Sequence, residues 1–255
     1  MRDQLAPWLT NSSRAAVLTD FDGTLAAIVD DPTDAVPLPS ASDTLALLAR
    51  RYARVAVISG RPVEYLLMHL GRADGVVFVG LYGLERATGG DTPTIEVVPE
   101  AITWAATVDR VAADATAEAP PGVGVEHKGL AVTLHVRTAR EHAGWAEAWA
   151  ESHAKSTGLV VHPGKKSVEL RPPVKADKGT VVTELAEGLD AVCFLGDDRG
   201  DLPAFDALAR LSSALHTLAV AVRSDEVPKE LLGAADLVVD GPAGAVAFLQ
   251  QLAAN

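Results

Sequence analysis

Short apolar runs recur along the chain, and each is followed at once by polar or small residues. The runs with the length of a strand are residues 16–19, 55–58, 76–79, 192–195, 218–222 and 237–239. Continuous apolar runs of this length are typical of strands that are buried on both faces. Helical patterns separate several of them, as in 40–52 and 178–188. This alternation predicts an α/β fold with a doubly wound parallel sheet, in which ligands bind beyond the carboxyl ends of the strands.

The middle of the chain has a different pattern. It reads as a long alanine-rich helix, a strand at 123–136, a second helix at 141–155, and a pair of strands at 158–162 and 167–170. Two helix-then-strand units of this kind predict a small α+β domain inserted into the α/β core. Prolines stiffen both junctions. We therefore expect a discontinuous core formed by 1–98 and 173–255, with the insert at 99–172.

Composition narrows the possible classes of protein. A chain of 255 residues is long enough for a core with a small insert. The net charge of -12 argues against nucleic acid and anionic membrane surfaces as general partners. We find neither a signal-peptide layout nor the roughly 18 apolar residues that a membrane span needs. Cys193 is the only cysteine, so no intramolecular disulfide can form. We expect a cytoplasmic protein, and of the oligomeric states we favour a monomer.

Two carboxylates follow the first predicted strand, in the motif Asp20-Phe21-Asp22-Gly23-Thr24. At positions i and i+2 after a strand, Asp20 and Asp22 point the same way and crowd their charges. Keeping both ionised needs a cation or shared protons. Taken alone, the motif is also compatible with a solvated turn, in which aspartate and glycine are common.

Three further elements favour a reactive site over a turn. The triplet Ser59-Gly60-Arg61 follows the second predicted strand, and Gly196-Asp197-Asp198 follows another, with Asp201 close behind. Lys178 begins the helix after the insert and supplies a positive charge. Carboxylates from two strand ends offer the oxygen ligands that Mg²⁺ prefers, with waters completing its coordination.

These residue types predict phosphoryl transfer. Asp20 is the expected nucleophile, and Asp22 is placed to protonate the leaving alkoxide and then to activate water. Ser59 and Lys178 would stabilise the oxygens of the transferring group. We expect Asp197 to bind Mg²⁺ directly, as Asp20 does. We place Asp198 and Asp201 behind the metal ligands or against Lys178.

The motifs DFDGT, SGR, Lys178 and GDDRGD, in this order, resemble the haloacid-dehalogenase superfamily of phosphotransferases. The resemblance implies a Rossmann-like core with a central parallel sheet. It also implies an α/β cap between the second and third motifs. Mg²⁺ would be held by Asp20, the backbone carbonyl of Asp22 and an aspartate of the last motif. Gly60 and Arg61 are then expected to bind substrate beside Ser59.

A narrower resemblance rests on the insert and its borders. The segments VEHKGLAVTLHVR, GKKSVELRPP, KADKG and GDDRGDLPAF are similar to those of trehalose-6-phosphate phosphatases. This implies a small sugar phosphate as substrate and hydrolysis of trehalose 6-phosphate as the reaction. By the family's motifs, Glu126, Lys128 and Glu169 would hydrogen-bond the sugar hydroxyls. For Glu126 and Lys128 the alternative is a cross-strand charge pair on an exposed sheet face.

The chain departs from that family at two turns. Gly80-Leu81-Tyr82-Gly83 stands where the family often has Gly-Asn-His-Gly, so an amide that could touch the sugar is missing. After Arg199, the sequence Gly200-Asp201 replaces a more acidic continuation. Two other functions therefore remain open. One is a phosphatase for another sugar phosphate, such as sucrose phosphate or a glycosyl-phosphoglycerate, and the other is a catalytically silent sugar-phosphate sensor.

Overall fold

The computed structural model describes residues 2–29, 34–71 and 73–254. It divides into two compact units, the larger formed by Met1–Glu96 with Ala176–Asn255 and the smaller by Val97–Lys175. The predicted core and insert had borders at 98/99 and 172/173. The role of the smaller unit as a cap stays a prediction.

The described residues form strands and helices with the following bounds. The strands are β1 (Ala15–Thr19), β2 (Arg54–Ile58), β3 (Val77–Gly80), β4 (Glu85–Thr88), β5 (Glu96–Val97), β6 (Gly124–His127), β7 (Val132–His135), β8 (Val160–Gly164), β9 (Ser167–Arg171), β10 (Ala191–Gly196), β11 (His216–Arg223) and β12 (Leu237–Asp240). The helices are α1 (Arg2–Thr10), α2 (Ala41–Ala49), α3 (Val63–Leu70), α4 (Pro99–Ile102), α5 (Ala105–Glu118), α6 (Ala143–Thr157), α7 (Lys178–Ala186), α8 (Leu202–Leu211), α9 (Lys229–Ala234) and α10 (Gly241–Ala253).

The large sheet has β1 near its centre and runs in the order β12-β11-β10-β1-β2-β3-β4-β5. The pairs from β12 through β3 are parallel, and β4 then joins β3 antiparallel. Every residue of β1 and of β10 is buried, because helices cover both faces of a doubly wound sheet. The predicted α/β class with a central parallel sheet is confirmed.

Alternating side chains of the central strands enter two separate hydrophobic clusters. Val17 and Cys193 belong to one cluster, whereas Leu18 and Phe194 belong to the other. Since side chains alternate across a strand, these clusters lie on opposite faces of the sheet. Packing on both faces holds β1 firmly, so the residue that follows its carboxyl end has a well-defined position.

The prediction that 237–239 is buried on both faces was wrong. This segment forms β12, whose residues alternate between partly buried and exposed, and Val238 is 39% exposed. The reason is its position at the edge of the sheet, where β11 is its only neighbour among the described strands.

The smaller unit contains an antiparallel sheet in the order β6-β7-β9-β8. The helices α5 and α6 contribute Val111, Ala150 and Trp149 to a core that also contains Val132 and Leu170 of the sheet. No helix within the described ranges is both long and apolar enough to cross a membrane.

The single strand predicted at 123–136 is two strands, β6 and β7. The chain reverses between them at Lys128, whose backbone N–H donates to the carbonyl of Ala131 over 2.8 Å. Gly129 has φ of 76°, a left-handed conformation that glycine adopts without steric cost. The reversal makes β6 and β7 a hairpin and brings Glu126 opposite Thr133.

Candidate active site

Asp20 lies directly after β1, at the carboxyl edge of the large sheet. Its backbone N–H donates to the carbonyl of Leu195 over 2.8 Å, which continues the pairing of β1 with β10. Only 4% of the residue is exposed. Burial raises the pKa of the Asp20 carboxyl, and the positive charge of Lys178 opposes that rise.

Lys178 is placed by the start of α7. The preceding residue, Asp177, caps this helix: its side chain accepts from the N–H of Thr180, and the hydroxyl of Thr180 accepts from the N–H of Asp177. This reciprocal arrangement fixes the first turn. It places the amine of Lys178 2.5 Å from Oδ1 of Asp20 and 2.7 Å from Oδ1 of Asp201. Burial by itself lowers the pKa of Lys178, but the two carboxylates outweigh it and hold that pKa well above its usual value.

Asp201 organises the loop that follows β10. One of its oxygens accepts from Lys178, and the other accepts from the backbone N–H groups of Asp197 and Asp198, over 2.8 and 3.1 Å. Gly196 is required here, because a Cβ at this position would collide with the Asp201 carboxylate. The side chain of Asp198 accepts from the N–H of Gly200 and so closes the turn.

The carboxylates of Asp20, Asp197 and Asp201 form a buried group, with one oxygen from each within 4.8 Å of the others. Asp197 is 1% exposed, and its carboxylate lies against Gly23 so closely that a Cβ there would collide with it. Three buried carboxylates, two of which contact Lys178, suit a hard divalent cation with oxygen ligands. The residues therefore fit Mg²⁺. The carboxylate of Asp22 does not belong to this group of described residues.

Asp22 instead pairs with Arg61. The guanidinium donates from Nε to Oδ2 and from Nη2 to Oδ1, each over 2.8 Å, in a bidentate geometry. Arg61 also lies over the ring of Tyr65, 4.5 Å from its centroid. The Arg61 side chain is 8% exposed and that of Asp22 is 40% exposed. The site thus holds a buried cation under a partly exposed carboxylate.

Ser59 and Gly60 follow β2, the strand next to β1. Ser59 is 1% exposed, and its hydroxyl accepts from the backbone N–H of Arg61 over 3.1 Å. The larger unit therefore brings together every predicted residue of the phosphoryl-transfer site at one edge of its sheet. These are Asp20, Asp22, Ser59, Gly60, Arg61, Lys178, Asp197, Asp198 and Asp201.

The three remaining predicted residues lie together on the sheet of the smaller unit. The amine of Lys128 is 3.0 Å from Oε1 of Glu169 and 3.7 Å from Oε2 of Glu126. Glu126 and Lys128 thus form a charge pair with each other along one segment of the chain, not the cross-strand pair of the alternative. Their side chains are only 25% and 10% exposed, however, so the pair does not lie on an open surface. Its partly buried position is compatible with ligand binding.

Glu169 is the centre of this polar face. Its Oε1 accepts from the hydroxyl of Thr133 over 3.0 Å, and Arg171 Nε lies 3.3 Å from its Oε2. Burial by itself raises the pKa of Glu169, but Lys128 and Arg171 outweigh it and hold that pKa below its usual value. Glu169 is therefore an ionised acceptor in a largely buried position.

Two histidines of the same face were missed in the sequence. His135 Nε2 lies 2.8 Å from Oε2 of Glu126. His162 stands directly across from Glu169 in the pairing of β8 with β9, and burial together with Arg171 lowers its pKa to about 4. The alternation of side chains along β7 and β8 was the available signal, since it places both histidines on the face that carries Glu126 and Glu169.

Comparison with solved structures identifies the class of fold. The fold matches that of a phosphatase of the haloalkanoate dehalogenase (HAD) superfamily from Bacteroides thetaiotaomicron, with a TM-score of 0.57 and 15% identity over 93% of this chain and 94% of that one. It also matches the C-terminal domain of Candida albicans trehalose-6-phosphate phosphatase, with a TM-score of 0.79 and 24% identity over 99% and 97% of the two chains. These likenesses establish a HAD-type fold.

Residues 18–235 match the family model described as trehalose-phosphatase. The trehalose-phosphate phosphatase of Mycobacterium avium is 34% identical over 247 residues, which cover 93% of this chain and 62% of that protein. The chain therefore belongs to the trehalose-phosphatase family. It spans about three fifths of the length of the curated mycobacterial relatives that it matches.

Proposed function

We propose that the protein is a Mg²⁺-dependent phosphatase that hydrolyses trehalose 6-phosphate through an aspartyl-phosphate intermediate. The observation that carries this proposal is the position of Asp20. Its carboxylate is buried after a central strand, contacts Lys178, and lies within one group of oxygens with Asp197 and Asp201. Family membership and the mycobacterial relatives' function support the choice of substrate.

In the first step an oxygen of Asp20 attacks the phosphorus, and the bond from phosphorus to the sugar oxygen breaks. Lys178 keeps a positive charge beside Asp20, which lowers the repulsion between the carboxylate and an anionic phosphoryl group. The hydroxyl of Ser59 and the backbone N–H of Gly60 would hold the phosphoryl oxygens. Both follow the strand adjacent to β1, so they lie on the same side as Asp20.

Asp22 would give a proton to the leaving sugar oxygen. It would then take a proton from the water that attacks the aspartyl-phosphate, which releases phosphate and restores Asp20. In this structure Arg61 occupies both oxygens of Asp22. For Asp22 to act as the acid, Arg61 must therefore release it and donate its hydrogen bonds to the phosphoryl group. The phosphoryl group presents a similar pair of oxygens to the guanidinium.

The cation would be held by Asp20, the backbone carbonyl of Asp22, and Asp197. When bound, Mg²⁺ would neutralise charge on the phosphoryl oxygens and help to align the attack. Asp201 has a different task in this scheme. Its two oxygens already bind Lys178 and two backbone N–H groups, so it orients the lysine and the loop that carries Asp197.

The polar face of the smaller unit would recognise the sugar. Glu126, Lys128 and Glu169 offer charged acceptors and donors whose positions are fixed by contacts with one another. Such groups give strong and oriented hydrogen bonds to neighbouring hydroxyls. His135 would orient Glu126, since it contacts one of that carboxylate's two oxygens.

The proposed function is tested by phosphate release from a panel of sugar phosphates, with and without Mg²⁺, beside Asp20→Asn. We expect a strong preference for trehalose 6-phosphate that depends on Mg²⁺ and is lost in the variant. If the wild type preferred another ester and Asp20→Asn lost that activity, the proposed reaction mechanism would stand and the proposed substrate would be wrong. No phosphate release with any ester would favour a sugar-phosphate sensor.

A further inference from the structure

The turn after β3 has an unusual backbone. Leu81 and Tyr82 have φ of 48° and 60°, both in the left-handed region. Residues with a Cβ adopt this region seldom, and each such residue costs free energy unless its surroundings compensate. Such conformations cluster at functional sites, where neighbouring structure holds them in place. Two in succession at non-glycine residues therefore call for a physical cause.

The cause lies in the loop that follows β2. The N–H of Leu81 donates to the carbonyl of Arg61 over 3.0 Å, and the N–H of Tyr82 donates to the carbonyl of Ser59 over 2.9 Å. These two hydrogen bonds fasten the turn onto the predicted phosphate-binding triplet. The strained backbone thus couples the turn directly to the position of Ser59.

The ring of Tyr82 lies between two loops of the candidate site. A Cβ built on Gly60 would lie 2.6 Å from Cζ and from the hydroxyl oxygen of Tyr82. A Cβ built on Gly200 would lie 3.7 Å from Cε1 on the same ring. Gly60 follows β2 and Gly200 belongs to the loop after β10, and these two strands flank β1 on either side. The ring therefore spans the carboxyl end of the strand that leads to Asp20.

We propose that Tyr82 is a positioning residue of the phosphoryl-transfer site, whose ring sets the spacing between the Ser59–Arg61 loop and the Asp198–Asp201 loop. This role rests on the proposed function, since the spacing matters only if a phosphoryl group is held between these loops. The ring acts through its neighbours: it limits how far the Gly60 backbone can approach the loop that carries Asp197 and Asp198. Gly60 has no side chain because the ring fills that space.

The first test compares Tyr82→Phe with Tyr82→Asn. Phenylalanine keeps the ring, whereas asparagine removes it and tolerates the left-handed backbone. We expect kcat within about twofold of wild type for Tyr82→Phe and a fall of about tenfold or more for Tyr82→Asn, because small misplacements of catalytic groups cost that much. Tyr52→Leu is the matched control, since it removes a buried ring at the opposite end of β2 from Ser59.

A role limited to stability would lower the melting temperature of Tyr82→Asn and leave kcat unchanged, as expected for Tyr52→Leu. That result would overturn the positioning role while phosphatase activity of the wild type remained. A wild-type protein without phosphatase activity would overturn the proposed function and the positioning role together. The two failures are therefore distinguishable.

A second test measures the packing without any substrate. Gly60→Ala is made in the wild type and in Tyr82→Asn, and the melting temperature of all four proteins is compared. Because the new methyl group collides with the ring, we expect Gly60→Ala to lower the melting temperature more in the wild type than in Tyr82→Asn. Equal shifts in both backgrounds would contradict the contact on which the proposal depends.

Discussion

The amine of Lys178 lies 2.5 Å from Oδ1 of Asp20, and both side chains are at most 5% exposed. Burial of an ion pair is costly unless each charge has further partners. Here Asp201 supplies a second carboxylate for the lysine, at 2.7 Å. A cation placed permanently beside a buried carboxylate prepares that carboxylate for an anionic substrate.

Lys178→Ala removes the cation that contacts both of these buried carboxylates. We expect unfolding free energy to fall by about 3 kcal/mol, because one-sided removal leaves buried charges uncompensated. Phosphatase kcat should fall by roughly 10²-fold or more, as for loss of one group that stabilises the transition state. Denaturant unfolding and phosphate release measure the two effects. The exposed Lys175→Ala is the control, and equal behaviour of the two variants would contradict this role.

Arg61→Lys tests the bidentate contact with Asp22. Lysine keeps the charge but cannot form two parallel hydrogen bonds. We expect kcat to fall by about tenfold or more. The melting temperature should fall as well, because Arg61 is buried and lysine cannot replace its planar contact with Tyr65. Arg86→Lys is a matched control, since Arg86 forms a similar bidentate pair with Glu184 on the outer surface. Loss of activity of the same size in both variants would argue against a role for Arg61 at the site.

Glu169→Gln tests sugar recognition by the smaller unit. We expect a KM for trehalose 6-phosphate raised by about tenfold, because a charge-assisted hydrogen bond is replaced by a neutral one. Hydrolysis of an aryl phosphate, which lacks the sugar, should change little. Glu118→Gln is the control, since Glu118 accepts from Trp149 Nε1 among the helices of the same unit. A similar loss with both substrates would instead indicate that Glu169 serves the structure of the unit.

The lowered pKa of His162 should make the stability of the folded protein depend on pH. Its folded-state pKa of about 4 lies below the ordinary value of 6.5. As pH falls from 6.5, the unfolded chain therefore binds a proton that the folded protein does not, and stability decreases. The charged neighbours are Arg171, which lowers this pKa, and Glu169, which raises it.

Between pH 7 and 5, the melting temperature should fall less for His162→Gln than for the wild type. Carboxylates with ordinary pKa values titrate below this window. Any carboxylate that titrates within it does so in both proteins and cancels in the comparison. His216→Gln, which removes an exposed histidine, serves as the control for the substitution itself. Parallel curves for wild type and His162→Gln would show that this histidine is not kept neutral by the fold.

Continuous apolar runs were enough to predict the central strands and the site at their ends. Asp20, Ser59 and Asp197 each follow such a run, so their meeting at one sheet edge follows from parallel topology. The hairpin at Gly129 was missed, although the alternation is interrupted at 126–129, four successive residues without an apolar side chain. Its turn depends on a single left-handed glycine, which the pattern of apolar residues does not reveal.

Contacts between distant segments could not be predicted from the sequence. Asp22 and Arg61 are 39 positions apart, and nothing local indicates that the guanidinium takes both carboxylate oxygens. The conformation of Tyr82 likewise depends on hydrogen bonds to the carbonyls of Ser59 and Arg61 from the turn after β3. In the sequence analysis, the turn after β3 was noted only because it lacks the asparagine that the family often has there.

In the proposed mechanism Asp20 carries the phosphoryl group. Asp22→Asn should trap it, because an aryl phosphate with a good leaving group needs no proton for the first step, whereas hydrolysis needs a base. The direct measurement is mass spectrometry of Asp22→Asn protein quenched in acid after mixing with such an ester and Mg²⁺. We expect one added phosphoryl group on the peptide that contains Asp20, absent from Asp20→Asn. Phosphate release by the wild type with no phosphorylated protein, and an active Asp20→Asn, would contradict it.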